Sequence, residues 1–219
     1  MNTLTDMTLQ DRITRILADR IVKGVLKPGE WLRQDAFASE FNISHVPVRE
    51  AFRRLESQGL VLSEPRKGVK VVHLDEASII EITKMRAALE TLAMRVAVPL
   101  ISENDIDNAI AAIEQASHAT NIETWESCNR AFHEAVSRPC GMPRLLRAID
   151  ELHVARLRYM YATAGSTNWD PQSQREHRQI LDAIRDRDVE RACGLIEQHV
   201  LESAEVVVNA LREQQKYQE

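Results

Sequence analysis

SHVPVREAFRRLESQGLVLSEPRKGVKVV, residues 44–72, decides the fold. In its first half Val48, Ala51, Phe52 and Leu55 fall on one helical face, and His45, Arg49, Arg53 and Arg54 are left on the others. Ser44 stands where an N-cap is needed and Gly59 where the helix must stop. The second half holds two short β-prone runs, 60–62 and 69–72, joined by SEPRKG, whose tip carries Arg66, Lys67 and Gly68. A helix followed at once by a small hairpin with a basic tip reads as the end of a winged helix-turn-helix.

Upstream, Leu9, Ile13, Ile16, Leu17 and Ile21 recur at helical spacing behind Thr8, an N-cap residue, and Pro28-Gly29 ends the pattern. A second helix over 34–41 puts Phe37, Ala38 and Phe41 on one face and ends at Asn42, which tolerates the left-handed turn conformation. The turn before the third helix is therefore short. A recognition helix lying in a major groove sets its first long side chains against base edges and phosphates. Arg49 is the expected base reader, because a guanidinium can donate two hydrogen bonds to guanine, whereas Ser44, Arg53 and Lys67 suit phosphates. Any one arginine on an exposed helix is more often merely solvated; the hairpin directly after the short helix-turn-helix reverses that balance. With Arg33, His45, Pro47 and Gly68, these residues form the expected set contacting double-stranded DNA.

The charge is divided unevenly. Residues 1–74 hold 12 Lys and Arg against 9 Asp and Glu, and the remainder 16 against 24, within chain totals of 28 and 33. A nucleic acid is expected at one end only, since local rather than global charge sets phosphate affinity. Cys128, Cys140 and Cys193 form neither a metal-ligand doublet nor an even disulfide set, which suits reduced thiols with no assigned role. No apolar run approaches the length of a membrane span and no signal-peptide pattern opens the chain, so a cytoplasmic protein with no membrane partner is expected.

After the linker VVHLDEAS, the pattern turns helical and stays so. Helices are expected over 76–100, 103–118, 122–137, 143–162, 173–187 and 189–214, an all-α antiparallel bundle of six to seven helices. The expected architecture is mainly α, with a winged helix-turn-helix of three helices plus a β-hairpin over 1–74 and the bundle over 75–219. The linker has neither Gly nor Pro from Val72 to Ala77, which suggests fairly rigid transmission between the two.

Within the bundle, Asn129 and His133 are four apart and share a helical face. His177 is followed by Ile180, Leu181 and Ile184, and His199 is accompanied by Leu195, Ile196 and Val200, spacings that turn both imidazoles inward. Three histidines and an amide oxygen could hold a divalent metal and leave positions open for water or a small anion. Taken singly, each histidine is more often a core residue bonded to a neighbour; taken together the two readings balance.

The first third resembles the GntR family of bacterial transcription regulators, through GVLKPGEWL (24–32), FASEFNIS (37–44), PVREAFRRLESQGL (47–60) and RKGVKVV (66–72). It departs from the family's usual pattern at His45, commonly arginine, and at Asp35, where a basic residue is frequent. NRAFH (129–133), EHRQILDAIRDRD (176–188) and ACGLIEQH (192–199) resemble the FCD effector domain of the FadR subfamily. That resemblance implies a divalent metal, zinc first and otherwise nickel, manganese or iron, held by Asn129, His133, His177 and His199. Asn129 stands where many members have aspartate, which leaves the metal at higher net charge and favours an anionic effector such as a small organic acid. MRAALE (85–90) resembles the domain's first helix, making Arg86 a candidate carboxylate clamp, with a salt bridge to Glu90 at i+4 as the equal alternative. Arg156 and Arg158 are further effector-binding candidates. The resemblance also implies a homodimer on an inverted-repeat operator.

Two alternatives share these residues. In one the ion itself is the signal. In the other the chain is a metalloenzyme, which is disfavoured because no His-Glu-x-x-His run exists and Glu134 would point about 100° away from His133.

Overall fold

A computed structural model describes residues 8–73, 75–163 and 170–216. The chain folds as two compact units, 1–75 with 157–162, and 76–156 with 163–219. Leu74, on which the expected domain boundary falls, lies outside the described residues.

In the first unit, α1 (Leu9–Val22), α2 (Gln34–Glu40) and α3 (His45–Ser57) enclose a core of Ile13, Leu17, Phe37, Val48, Phe52 and Leu55. Thr8 caps α1 as expected: its hydroxyl accepts from the Asp11 amide at 3.2 Å and the Asp11 carboxylate accepts from the Thr8 amide at 3.0 Å. Leu9 and Ile16 do not join the core, being 48% and 41% exposed, because they sit on the edge of the stripe formed by Ile13, Leu17 and Ile21. Asn42 adopts a positive φ of 53° and closes the turn after α2.

Ser44 occupies the N-cap position of α3 in extended conformation, yet its hydroxyl makes no capping hydrogen bond. Pro47, third in the helix, has no N–H to offer, which removes one of the two amides such a cap can accept from. At the other end Gly59 takes φ +68°, its amide reaches Glu56 O at 2.9 Å, and the Leu60 amide reaches Leu55 O at 2.9 Å. This pair of bonds stops α3 and turns the chain into the wing.

The wing is β2 (Val61–Glu64) and β3 (Gly68–Val71), antiparallel, with Val61 opposite Val71 and Glu64 opposite Gly68. A third strand, β1 (Trp31–Leu32), pairs antiparallel with the free edge of β3, giving the order β1-β3-β2. The sequence pattern shows only the hairpin; two residues are too few to show an alternation.

The second unit contains α4 (Glu76–Ala97), α5 (Glu103–Ser117), α6 (Ile122–Ser137), a 3₁₀ turn (Arg138–Cys140), most of α7 (Pro143–Thr163), α8 (Asp170–Arg185) and α9 (Val189–Lys216). All six expected helices are present. α4 packs along α9, and α5 packs against α6 and α8, around Met94, Phe132, Ile180, Ile184 and Ile196. Arg187 locks the end of α8 to the end of α4, donating to Val98 O at 2.6 Å and Ile101 O at 2.8 Å. The three cysteines are buried free thiols, and burial raises the thiols of Cys128 and Cys193 above their ordinary pKa. Among the described residues no helix is long and apolar enough to cross a membrane.

Candidate functional site

Helical periodicity brings His133 of α6, His177 of α8 and His199 of α9 to one buried point, each 5% exposed or less. His177 Nε2 lies 3.1 Å from His199 Nε2, which lies 3.3 Å from His133 Nε2. Carboxylates hold two rings from behind: His133 Nδ1 is 2.7 Å from Glu90 Oε2, and His199 Nδ1 is 2.6 Å from Glu176 Oε2. Burial outweighs the Glu90 charge and lowers the pKa of His133, while burial and the two neighbouring imidazoles lower that of His177 well below its usual value. In a neutral ring whose Nδ1–H faces a carboxylate, Nε2 carries the lone pair. With Nδ1–H toward their carboxylates, His133 and His199 would point Nε2 lone pairs at each other, an arrangement that a cation satisfies and neutral imidazoles alone do not. The donor set fits a borderline divalent ion.

Asn129, 4% exposed, donates its amide N–H to Glu126 Oε2 at 3.3 Å, which leaves its carbonyl oxygen as the end available to a metal. Asn129, His133 and His199 line one cavity of about 60 Å³, together with Arg86, Arg156 and Glu176. Of the two alternatives for Arg86 the salt bridge is present: it pairs with Glu90 Oε1 through Nε at 2.9 Å and Nη2 at 2.7 Å, and its side chain also lines the cavity. Burial would raise the Glu90 pKa, but the charge of Arg86 and the hydrogen bond from His133 outweigh it and hold the carboxyl well below the usual carboxylate range. Arg156 faces the same cavity, 3.3 Å from Glu126 Oε1, with its Nε unpartnered; burial lowers its pKa.

Arg158 lies elsewhere. It belongs to the 157–162 segment of α7 that forms part of the first unit, and it donates to Val72 O at 2.5 Å and Gly59 O at 3.4 Å. Residues that sequence reasoning missed are Glu176 and Glu126, which act across helices, and His153, a fourth buried histidine, beside Glu90 and His133. Sequence spacing marked Glu90 only as the partner of Arg86; its second oxygen serves His133.

In the first unit, Arg33, Ser44, His45, Arg49, Arg53, Lys67 and Gly68 are exposed and Pro47 half-buried. Among the described residues Arg49 is the least engaged arginine of α3, with Glu50 Oε1 at 3.9 Å, whereas Arg53 lies 3.1 Å from that oxygen and Arg54 is tied to Asp11 of α1. The positions that depart from the family pattern touch: His45 Nδ1 is 3.3 Å from Asp35 Oδ1. At the wing Lys67 sits 3.0 Å from Glu64, and Lys70 also pairs with Glu64 and lies 5.6 Å from the Trp31 ring. Lys70 first and Lys67 second hold the Glu64 carboxyl below its ordinary pKa.

Comparison with known proteins identifies both halves of the chain. Residues 9–71 match the bacterial regulatory proteins, gntR family, and residues 81–202 match the FCD domain. The HTH-type transcriptional regulator YdhC of Bacillus subtilis (strain 168) is 30% identical over 84% of this chain and 83% of its own. The HTH-type transcriptional repressor GlaR of Escherichia coli (strain K12) is 26% identical over 90% and 94%. The solved structure of E. coli McbR/YncC superposes with a TM-score of 0.77 at 22% identity, covering 93% of this chain and 98% of that one, and so shares the fold. The matched families and relatives are transcription regulators, which sets the metalloenzyme alternative aside. A winged helix-turn-helix followed by an FCD domain places the chain in the gntR family of bacterial regulatory proteins, as a DNA-binding transcription regulator.

Proposed function

We propose that the protein is a cytoplasmic homodimer that binds an inverted-repeat operator and is switched by a small organic acid at a divalent metal, zinc foremost. His133, His177 and His199 would hold the ion, with Asn129 as the neutral fourth ligand. The observation that carries this reading is the convergence of three Nε2 atoms at 3.1–3.3 Å, two of them oriented from behind by carboxylates. A bound ion would present a positive centre to a carboxylate, and Arg156, buried with its Nε unpartnered, would add a donor. The base reader would be Arg49, with Arg33, Ser44, Arg53 and Lys67 against phosphate and His45, Pro47 and Gly68 completing the interface. Dimerisation is supported by an apolar stripe on α4, where Met85 and Leu92 are exposed and Leu89 and Val96 half-buried at helical spacing.

Elemental analysis of purified protein tests the metal. About one ion per chain, lost in a His133→Ala, His199→Ala double variant, is expected; a folded protein that takes up no metal on reconstitution overturns the site. A second reading, the ion as the signal, is favoured by the tightness of the cavity, about 60 Å³. Operator affinity that follows zinc concentration with no organic acid present would select it.

A further inference from the structure

A second cavity of about 280 Å³ lies between α6 and α7. His133 lines both cavities. The lining includes His153, Ser137, Leu146 and Ile149, and charged residues at the exposed edge. We propose that this cavity is a second small-molecule site, separate from the metal centre, for a neutral, mainly apolar molecule bearing one acceptor oxygen.

The polar feature of the site is His153, 3% exposed, whose Nδ1 has no hydrogen-bond partner. Its Nε2 lies 3.2 Å from Arg86 Nη2 and 3.4 Å from Glu90 Oε1. A guanidinium only donates, and Glu90 Oε1 already accepts twice from Arg86. Nε2 is therefore the acceptor and the ring proton sits on Nδ1. A buried N–H without a partner calls for an acceptor from a ligand. Ser137, 3% exposed, places a hydroxyl in the same lining.

The walls set the rest of the ligand. Leu146 and Ile149 offer apolar surface, and the edge cations are matched by anions: Arg130 pairs with Asp150, and Arg138 lies 3.2 Å from Asp105. With Glu134 also lining the cavity, no net positive charge remains to draw an anion there. This separates the site chemically from the metal centre. The volume falls just below the roughly 300 Å³ at which small-molecule pockets begin, so a compact ring or short branched chain is the right size.

Cyclohexanone is a suitable probe, neutral and with one carbonyl oxygen. It is titrated into the full-length protein with the metal centre loaded with zinc and citrate, and the histidine side-chain nitrogens are followed by ¹⁵N NMR. The expected result is a protonated Nδ1 on His153 that shifts on binding, with an affinity that citrate does not change. Leu146→Trp, at a half-buried position, should fill the cavity and weaken binding more than tenfold while zinc content is retained. His153→Phe should keep the apolar walls and lose at least fivefold, since it removes only the donor. An unprotonated Nδ1, or an unshifted His153 signal at the solubility limit of the probe, overturns the proposal. Binding that citrate displaces would place the probe at the metal centre and also overturns it. Zinc uptake is read separately, so failure of this site and failure of the metal centre are distinguishable.

Discussion

His133 Nδ1 lies 2.7 Å from Oε2 of Glu90, both side chains buried, while the other Glu90 oxygen receives two hydrogen bonds from Arg86. One carboxylate on α4 thus sets the tautomer of a candidate metal ligand on α6 and neutralises a buried cation. Glu176 performs the first task for His199 and is partly exposed, with 21% of its side chain accessible.

Glutamine in place of either carboxylate separates these tasks. Glu176→Gln should weaken zinc binding about 10–100-fold, the usual effect of losing an orienting carboxylate, with little change in stability. Glu90→Gln should weaken zinc comparably and also destabilise the metal-free protein by about 3 kcal/mol or more, because it leaves Arg86 charged and unpaired in the interior. Chelator competition reads the first quantity and urea denaturation the second. Unchanged zinc affinity in Glu176→Gln would remove the orienting role.

Acid should destabilise the metal-free protein well before ordinary carboxylates titrate. Burial lowers the pKa of His133 and His177, and that of His153 to about 3. As pH falls below about 6.5 the unfolded chain takes up protons that the folded state refuses, so stability is present above that value and is lost on the way down. Each such ring contributes a slope of up to about 1.4 kcal/mol per pH unit, for His153 continuing to about pH 3. Glu90, held ionised by Arg86 and His133, acts in the same direction at lower pH. Urea midpoints at about pH 7.5 and pH 5, with chelator present, should fall with acid; a midpoint independent of pH would contradict the burial of these rings.

The histidine trio was legible because Ile180, Leu181 and Ile184 lie at helical spacing from His177, and Ile196 and Val200 flank His199; all are 4% exposed or less. Periodicity along one helix shows which side faces inward, and three inward histidines in one small bundle have few places to go. It carries no information about the neighbouring helix, so the carboxylates behind the rings and His153 on α7 were not legible. Glu176 illustrates the limit: adjacent to His177 in sequence, it serves His199 on another helix. Arg158 was equally opaque, since its backbone partners Gly59 and Val72 are remote in sequence. Pro47 was visible and its consequence for the Ser44 cap could have been drawn. The two-residue strand β1 could not, because only the exposed edge of β3 creates it.

Gly29 is the position where the wing unit should least tolerate a side chain. It has φ +78°, and a Cβ there would stand 2.6 Å from His73 Cε1. Its amide also donates to Val71 O at 2.9 Å, next to the strand pairing. Gly29→Ala should cost about 1–2 kcal/mol from the left-handed backbone alone, and more if His73 cannot move. Thermal unfolding of the purified variant should show this loss, and a Gly29→Ala, His73→Ala double variant should recover the part due to the clash. No recovery would mean that the backbone conformation accounts for the whole effect.

Arg49 and Asp35 make opposite predictions at the proposed DNA-reading surface. Arg49 projects from the first turns of α3 with Glu50 3.9 Å away as its nearest anion, so little competes with a guanine edge for its guanidinium. Arg49→Ala should lose about 1–3 kcal/mol of operator affinity, roughly five- to 150-fold, and relax discrimination at one base position. Arg53→Ala, at a proposed phosphate contact, should weaken operator and unrelated DNA alike and flatten the salt dependence. Asp35 carries a carboxylate on the same surface, 3.3 Å from His45, where it repels phosphate and competes for the imidazole. Asp35→Asn should therefore strengthen binding, most at low salt, where such charges are least screened. Fluorescence anisotropy against operator and scrambled duplexes, at two salt concentrations, separates the three behaviours. If Arg49→Ala weakened both duplexes equally, the arginine would be a phosphate contact, and base readout would have to pass to His45 and Ser44 at the start of the helix.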